Sequence, residues 1–340
     1  MKKIIVLAAV AAMLPVSLMA QTAPDGGLSP EVLSRISKGY TGTSYDKAVR
    51  NALAGSSVNV MATNAENASM IDTHFSDRVK TKGITDQKSS GRCWLFTGLN
   101  VLRAKMIEKY NLGSFTFSQN YLFFYDQLEK ANLFLQGVID TRKLPFDDRK
   151  VDWLFSNPLS DGGQFTGVSD LAMKYGLVPS EVMPETYSSN NTSQMALQLK
   201  TILRQGGLAL RAAYDASPAA SAKGKNAAAA EAKVNAELLK IKESVLTDVY
   251  RILSLCLGVP PASFEWSMYD SSDKLVSTEE YTPLSFYKKY VDEDLDGNYV
   301  MLMNDPTREY GKVYEIDYDR HVYDGKNWLY VNLPIERIRE

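Results

Sequence analysis

Cys93 and Gln87 stand six residues apart in the stretch Gly83-Ile84-Thr85-Asp86-Gln87-Lys88-Ser89-Ser90-Gly91-Arg92-Cys93-Trp94-Leu95-Phe96. The cysteine falls at the first turn of a segment with helical apolar spacing. The open N–H groups and the dipole of such a terminus favour an anion, and the thiolate, not the thiol, is the nucleophile. Arg92 adds a neighbouring positive charge. A turn between Gln87 and Cys93 sets the glutamine amide beside the Cys93 backbone N–H. Two donors so placed hold a developing oxyanion. The chemistry implied is thiolate attack on a carbonyl carbon. A lone cysteine is more often an inert core residue. A glycine before it, a tryptophan after it and a glutamine six residues earlier form a set that packing alone does not require.

The elements that must carry these residues follow from spacing. Leu95, Leu99, Leu102 and Met106 recur at helical intervals, which predicts a helix over Cys93 to Tyr110. A second, aromatic helix is expected over Gln119 to Leu135, with Ser118 as its N-cap. Short helices are expected at Val151 to Phe155 and at Val168 to Tyr175, the latter stopped by Gly176. Val234, Leu238, Ile241, Val245, Val249, Ile252 and Cys256 form one stripe of a long amphipathic helix. Gly258-Val259-Pro260-Pro261 ends it. Strands are expected at Glu265 to Tyr269, Tyr299 to Asn304, Val313 to Tyr318 and Trp328 to Val331. Ile335 to Glu340 reads as the first turn of a further helix.

Composition narrows the function. The 340 residues carry a net charge of −2 and 45% hydrophobic residues, an ordinary globular balance. The weak charge argues against a general nucleic-acid binder. Two Cys and two His exclude a disulfide scaffold, a four-cysteine zinc site and any local HxxxH motif. No metal and no cofactor is implied. Residues 1–20 read as a secretory signal: Lys2 and Lys3, an apolar run from Ile4 to Val16, then small residues to Ala20. The mature protein is expected to be exported, periplasmic or secreted, with no membrane span. Residues 21–70 read as a loosely structured arm with one helix near Pro30 to Ser37.

The Cys93 segment resembles the active-site helix of papain-like cysteine peptidases, and most closely the bleomycin hydrolase/aminopeptidase C branch. Ser90 stands where secreted papains carry a disulfide cysteine. Further likeness runs in order along 71–340. Phe117-Ser118-Gln119-Asn120-Tyr121-Leu122 leads to Asp126-Gln127-Leu128-Glu129-Lys130-Ala131-Asn132, then come Asp161-Gly162-Gly163-Gln164-Phe165 and Met183-Pro184-Glu185-Thr186-Tyr187, and last Tyr330-Val331-Asn332-Leu333-Pro334-Ile335. The resemblance implies an α+β papain-like peptidase domain over 71–340, with a helical insertion at about 190–260 and an incomplete β half. It makes Cys93 the nucleophile, Gln87 the oxyanion donor and Gly162-Gly163 the strand that lets substrate backbone approach. Peptide substrates and a homohexamer follow as family expectations.

A cysteine peptidase also needs a His base and a group to orient it. His321 with Asn327 is rejected for that role. His321 sits on a strand followed by a turn, in Asp319-Arg320-His321-Val322-Tyr323, without the small and apolar residues that follow the family's histidine. The resemblance places the base and its Asn after the segment matching Tyr330 to Ile335, so a truncated record is expected. The alternative is a catalytically inactive binding or scaffold protein of the same fold. His74 reads as a surface or structural residue. Asp292-Glu293-Asp294-Leu295-Asp296-Gly297 begins like a calcium loop, but Met303 occupies its twelfth position, so it reads as an acidic turn.

Overall fold

The computed structural model describes residues 27–340 apart from Lys80, Asp317, Asp319, Lys326 and Asn327. The expected signal at 1–20 lies outside the described residues. The chain divides into two units, one ending at Ser76 and one running from Asp77 to Glu340.

The described part of the first unit holds four helices where the sequence reading expected one: α1 (Pro30–Lys38), α2 (Ser44–Gly55), α3 (Val58–Ala62) and α4 (Ala65–Met70). Their origin is local. Ser29, Thr43, Ser57 and Asn64 each accept a backbone N–H of the first turn, which satisfies an otherwise orphaned donor. None of α1 to α3 buries a residue. Helices set by caps, without a buried stripe, leave little apolar period to read.

In the second unit, α5 (Cys93–Lys109) is the predicted helix, and Leu95, Leu99, Leu102 and Met106 are all buried. The next helix, α6 (Gln119–Asp140), starts at its predicted cap: Ser118 Oγ accepts from Tyr121 N. It runs five residues past Leu135, because Val138 and Ile139 continue the buried face. Beyond it lie α7 (Arg149–Ser156) and α8 (Phe165–Tyr175). Gly176 ends α8 at φ 77°, and a Cβ there would sit 2.2 Å from the Pro283 carbonyl carbon. Only glycine fits.

A short α9 (Tyr187–Asn190) precedes a helical pair, α10 (Ser193–Asp215) and α11 (Ala227–Leu257), which pack on each other and on α6. Val234, Leu238, Val249, Leu253 and Leu257 of α11 are buried. Strands β1 (Phe264–Tyr269) and β2 (Leu275–Tyr281) form an antiparallel hairpin, followed by α12 (Pro283–Tyr290). In a second sheet, β5 (Leu329–Asn332) lies between β3 (Met301–Met303), to which it is parallel, and β4 (Val313–Glu315), to which it is antiparallel. The chain ends its described course in α13 (Ile335–Arg339). Sequence reading missed β2 and α12. Most of β2 is exposed, so no alternation marks it, and α12 is too short for a period. Its signal is the capping box of Thr282 and Ser285 with Pro283 at the first turn.

Candidate active site

No side chain caps α5, so its first-turn N–H groups remain open to an anion. Cys93 opens the helix with its side chain exposed, and both cysteines are free thiols. The preceding loop is fastened by its own hydrogen bonds. Ser90 Oγ donates to Gln87 O (2.7 Å), and Gln87 Nε2 donates to Ser90 O (2.5 Å). Ser89 N donates to Asn190 O (3.0 Å), which ties the loop to α9. Gln87 is thus held in the turn before Cys93, with its amide engaged by Ser90.

Arg92 corrects the expectation that it lends its charge to the cysteine. Its side chain is fully buried. The guanidinium reaches Glu185 through Nη1–Oε1 (3.1 Å) and Nη2–Oε2 (2.8 Å), and lies 5.0 Å from the centroids of both Phe96 and Phe123. Its positive charge is neutralised away from the thiol. The family likeness had named Glu185 only within a longer string.

Gly162-Gly163 is irregular chain and not the strand expected, and Asp161 fastens it to α5. Its carboxylate accepts from Gly91 N (2.7 Å) and from Thr192 Oγ1 (2.7 Å), and its carbonyl accepts from Trp94 Nε1 (2.9 Å). A Cβ on Gly91 would meet Asp161 Oδ1 at 2.4 Å, so the glycine before the nucleophile is there to admit this carboxylate. The two glycines that follow differ. A Cβ on Gly162 would meet only Ser160 Oγ, at 3.4 Å; one on Gly163 would strike His321 Cε1 at 2.3 Å and Trp94 Cδ2 at 2.8 Å. Gly162 is open and Gly163 is packed.

Under this segment lies a buried charged cluster that sequence reading missed. Lys130 Nζ donates to Gly162 O (2.7 Å), Ser160 O (3.0 Å) and Asp126 Oδ2 (2.9 Å). Asp126 Oδ1 lies 2.5 Å from His321 Nδ1. The His321 ring is 1% exposed and meets the Trp94 indole edge to face at 4.6 Å. Burial opposes the charge on Asp126, but Lys130 and His321 outweigh it and hold the carboxyl below its ordinary value. Burial, reinforced by Lys130 and opposed by Asp126, pushes His321 below its own ordinary value. At neutral pH the pair is therefore an ionised Asp126 beside a neutral imidazole.

The structure thus brings Cys93, Gln87, Gly162 and Gly163 around the head of α5. It gives His321 a partner in Asp126; Asn327 lies outside the described residues. His74 belongs to the first unit and is exposed. The Asp292 to Gly297 segment is a turn in which the Asp294 carboxylate accepts from Asp296 N and Gly297 N. Among the described residues no group of three His, Cys, Asp or Glu side chains is placed to hold a metal, and no helix is long and apolar enough to cross a membrane.

Residues 27–340 match the sequence profile of the Peptidase C1-like family. Aminopeptidase C of Lactobacillus delbrueckii subsp. lactis is 38% identical over 79% of this chain and 57% of its own length. Aminopeptidase G of the same organism is 36% identical over 92% of this chain and 68% of its own. Bleomycin hydrolase of Rattus norvegicus is 34% identical over 76% of this chain and 55% of its own. The chain thus spans little more than half to two thirds of these relatives. The crystal structure of PepW from Lactobacillus rhamnosis HN001 matches with a TM-score of 0.78 and 32% identity, covering 93% of this chain and 68% of that one. The mixed α+β architecture is the one PepW has. A profile match over nearly all the described residues, together with that shared fold, makes this protein a member of the Peptidase C1-like family.

Proposed function

We propose that the chain carries the nucleophile half of a cysteine aminopeptidase. Cys93 attacks the carbonyl carbon of a peptide bond as a thiolate. Its own backbone N–H and the Gln87 amide donate to the oxyanion once Gln87 Nε2 exchanges Ser90 O for the substrate. The backbone of Gly162-Gly163 pairs with the substrate chain. The observation that carries this reading is the exposed thiol at an uncapped helix terminus, with the diglycine segment bonded to the same helix through Asp161. The names of the relatives point to peptides cut from their N-termini. His321 is not the general base of this reading, because its ring is 1% exposed and its Nε2 is packed against Gly163. A homohexamer and export by the 1–20 signal are parts of the same proposal.

The test is labelling by a thiol-reactive peptide epoxide, read by mass spectrometry, with Cys256 as the internal control. Cys93 should react faster with the peptide epoxide than with a matched epoxide lacking the peptide, and Cys93→Ala should abolish labelling. Equal rates with both reagents, or labelling that survives the substitution, would overturn it. A second reading, a binding protein without turnover, draws on the engagement of Gln87 by Ser90. It expects saturable peptide binding and no stepwise N-terminal loss from unmodified peptides.

A further inference from the structure

Three successive carbonyls before Gly163 are held by side chains. Gln127 Nε2 and Lys130 Nζ both donate to Ser160 O (3.0 Å each). Trp94 Nε1 donates to Asp161 O (2.9 Å), and Lys130 Nζ donates to Gly162 O (2.7 Å). Gly162 N donates to Ser160 Oγ (3.1 Å), so both backbone groups of Gly162 are already engaged. Gly163 is the first residue after Ser160 with neither its N–H nor its carbonyl bonded among the described residues, and it is half-buried.

Lys130 is the common anchor. Its Nζ directs three N–H donors at Asp126 Oδ2 (2.9 Å), Ser160 O and Gly162 O. The Lys130 side chain is 11% exposed and that of Asp126 fully buried. Stability alone does not call for such a pair. Taking two charges out of water costs about what their attraction returns, and apolar residues of the same volume often do as well or better. What the pair does supply is a fixed donor beneath one peptide unit. The Gly162 carbonyl and the Gly163 N–H belong to that unit, which is planar and trans, so they point in opposite directions. With the carbonyl drawn onto Lys130, the N–H is aimed away from the buried cluster.

We propose that Lys130 is a positioning residue for peptide recognition. By capturing Gly162 O it aims the Gly163 N–H at a carbonyl of the substrate backbone. It also polarises the peptide unit, but hydrogen bonds linked in a chain strengthen one another by only about 10–30%, so aim is the larger effect. Lys130 acts through the diglycine backbone and not on the thiol. It therefore governs how tightly a peptide is held, and not how fast Cys93 then reacts. The inference rests on the peptidase reading and names the group that sets the diglycine segment in place for it.

The experiment separates binding from reaction. The full chain is labelled with the peptide epoxide over a range of concentrations, and the half-saturating concentration and limiting rate are read for wild type and Lys130→Gln. Iodoacetamide, which needs no peptide site, is run beside it. Lys130→Gln should raise the half-saturating concentration roughly tenfold, the loss of one well-aimed hydrogen bond. The limiting rate and the iodoacetamide rate at Cys93 should stay within about twofold, as when only binding is lost. A merely structural role would lower the fraction of chains that label and leave the half-saturating concentration of the rest unchanged, and that result overturns the proposal. A slower limiting rate at an unchanged half-saturating concentration overturns it too. If Lys130→Gln does not fold, the double variant with Asp126→Asn decides, because it leaves neither charge buried alone. Wild-type labelling that never saturates brings down the peptidase reading and this inference with it; saturable wild-type labelling that the variant shares unchanged overturns this inference alone.

Discussion

Arg92 and Glu185 form a two-pronged ion pair, 2.8 and 3.1 Å, across 93 residues of sequence. The residue next to the nucleophile is thereby anchored to the loop before α9. Glu185 also accepts from Ser189 Oγ (2.7 Å), so the anchor and the cap of α9 are one assembly. Glu185→Gln leaves a guanidinium with no exposed surface facing a neutral partner. The loss should be about 3 kcal/mol, toward the low end for a broken buried pair because the Glu185 side chain keeps 26% exposure. Urea unfolding measures it. A loss under about 0.5 kcal/mol, the scale of an exposed pair, would contradict the burial argument.

The two glycines of the diglycine segment should separate folding from peptide recognition. Gly163→Ala drives a Cβ into His321 and Trp94 and should destabilise by about 1–3 kcal/mol, as overpacking does. Gly162→Ala meets only Ser160 Oγ at contact distance, so its melting temperature should hold. Peptide affinity in Gly162→Ala should nevertheless fall, because the added methyl stands where substrate backbone approaches. Unchanged affinity with unchanged stability would remove Gly162 from the proposed cleft.

Asp161→Asn keeps the shape of the side chain but removes the charge that Gly91 N–H and Thr192 Oγ1 share. Hydrogen bonds to a charged acceptor are worth about 1.5–3 kcal/mol, against about 1 for neutral ones. A loss of about 1–2 kcal/mol should follow, and peptide-epoxide labelling of Cys93 should slow because the diglycine segment and α5 part. Labelling at the wild-type rate would show that the tether does not serve the thiol.

Acid should loosen the buried cluster in two stages. The unfolded chain binds a proton at His321 near its ordinary value of 6.5, whereas the folded chain resists until lower pH. Stability is therefore present above pH 6.5 and lost as pH falls below it, by up to about 1.4 kcal/mol per pH unit from this one group. Asp126, held below its ordinary 3.8, extends the loss at still lower pH. His321→Asn should flatten the first stage of a plot of melting temperature against pH. A slope unchanged by the substitution would assign the acid sensitivity elsewhere.

What could be read from the sequence was whatever repeats locally. The Leu95, Leu99, Leu102 and Met106 stripe, the Ser118 cap and the Gly176 stop each act within a few residues, and each appears where the pattern put it. The thiol, the glutamine and the diglycine were legible as a set because their types are rare together. The direction of Arg92 was not, since a side chain's partner 93 residues away leaves no period. The Asp126–His321 contact spans 195 residues and was hidden for the same reason. His321 was weighed only as a base, yet a buried histidine with a carboxylate partner also serves as a wedge beneath glycines. The sign for that role lay in Gly163 and Gly167, both of which need the space that its ring fills.

Where secreted papains use sulfur to brace the catalytic turn, this protein has Ser90 and a web of N–H and O–H donors gathered on Asp161. Its two thiols form no crosslink. A reductant strong enough to regenerate an oxidised Cys93 thus has no brace to cut, and an oxidant has none to make. The bracing of this turn is indifferent to redox poise while the exposed Cys93 thiol is not, so an oxidant would cap that sulfur and a reductant free it again with the fold standing throughout.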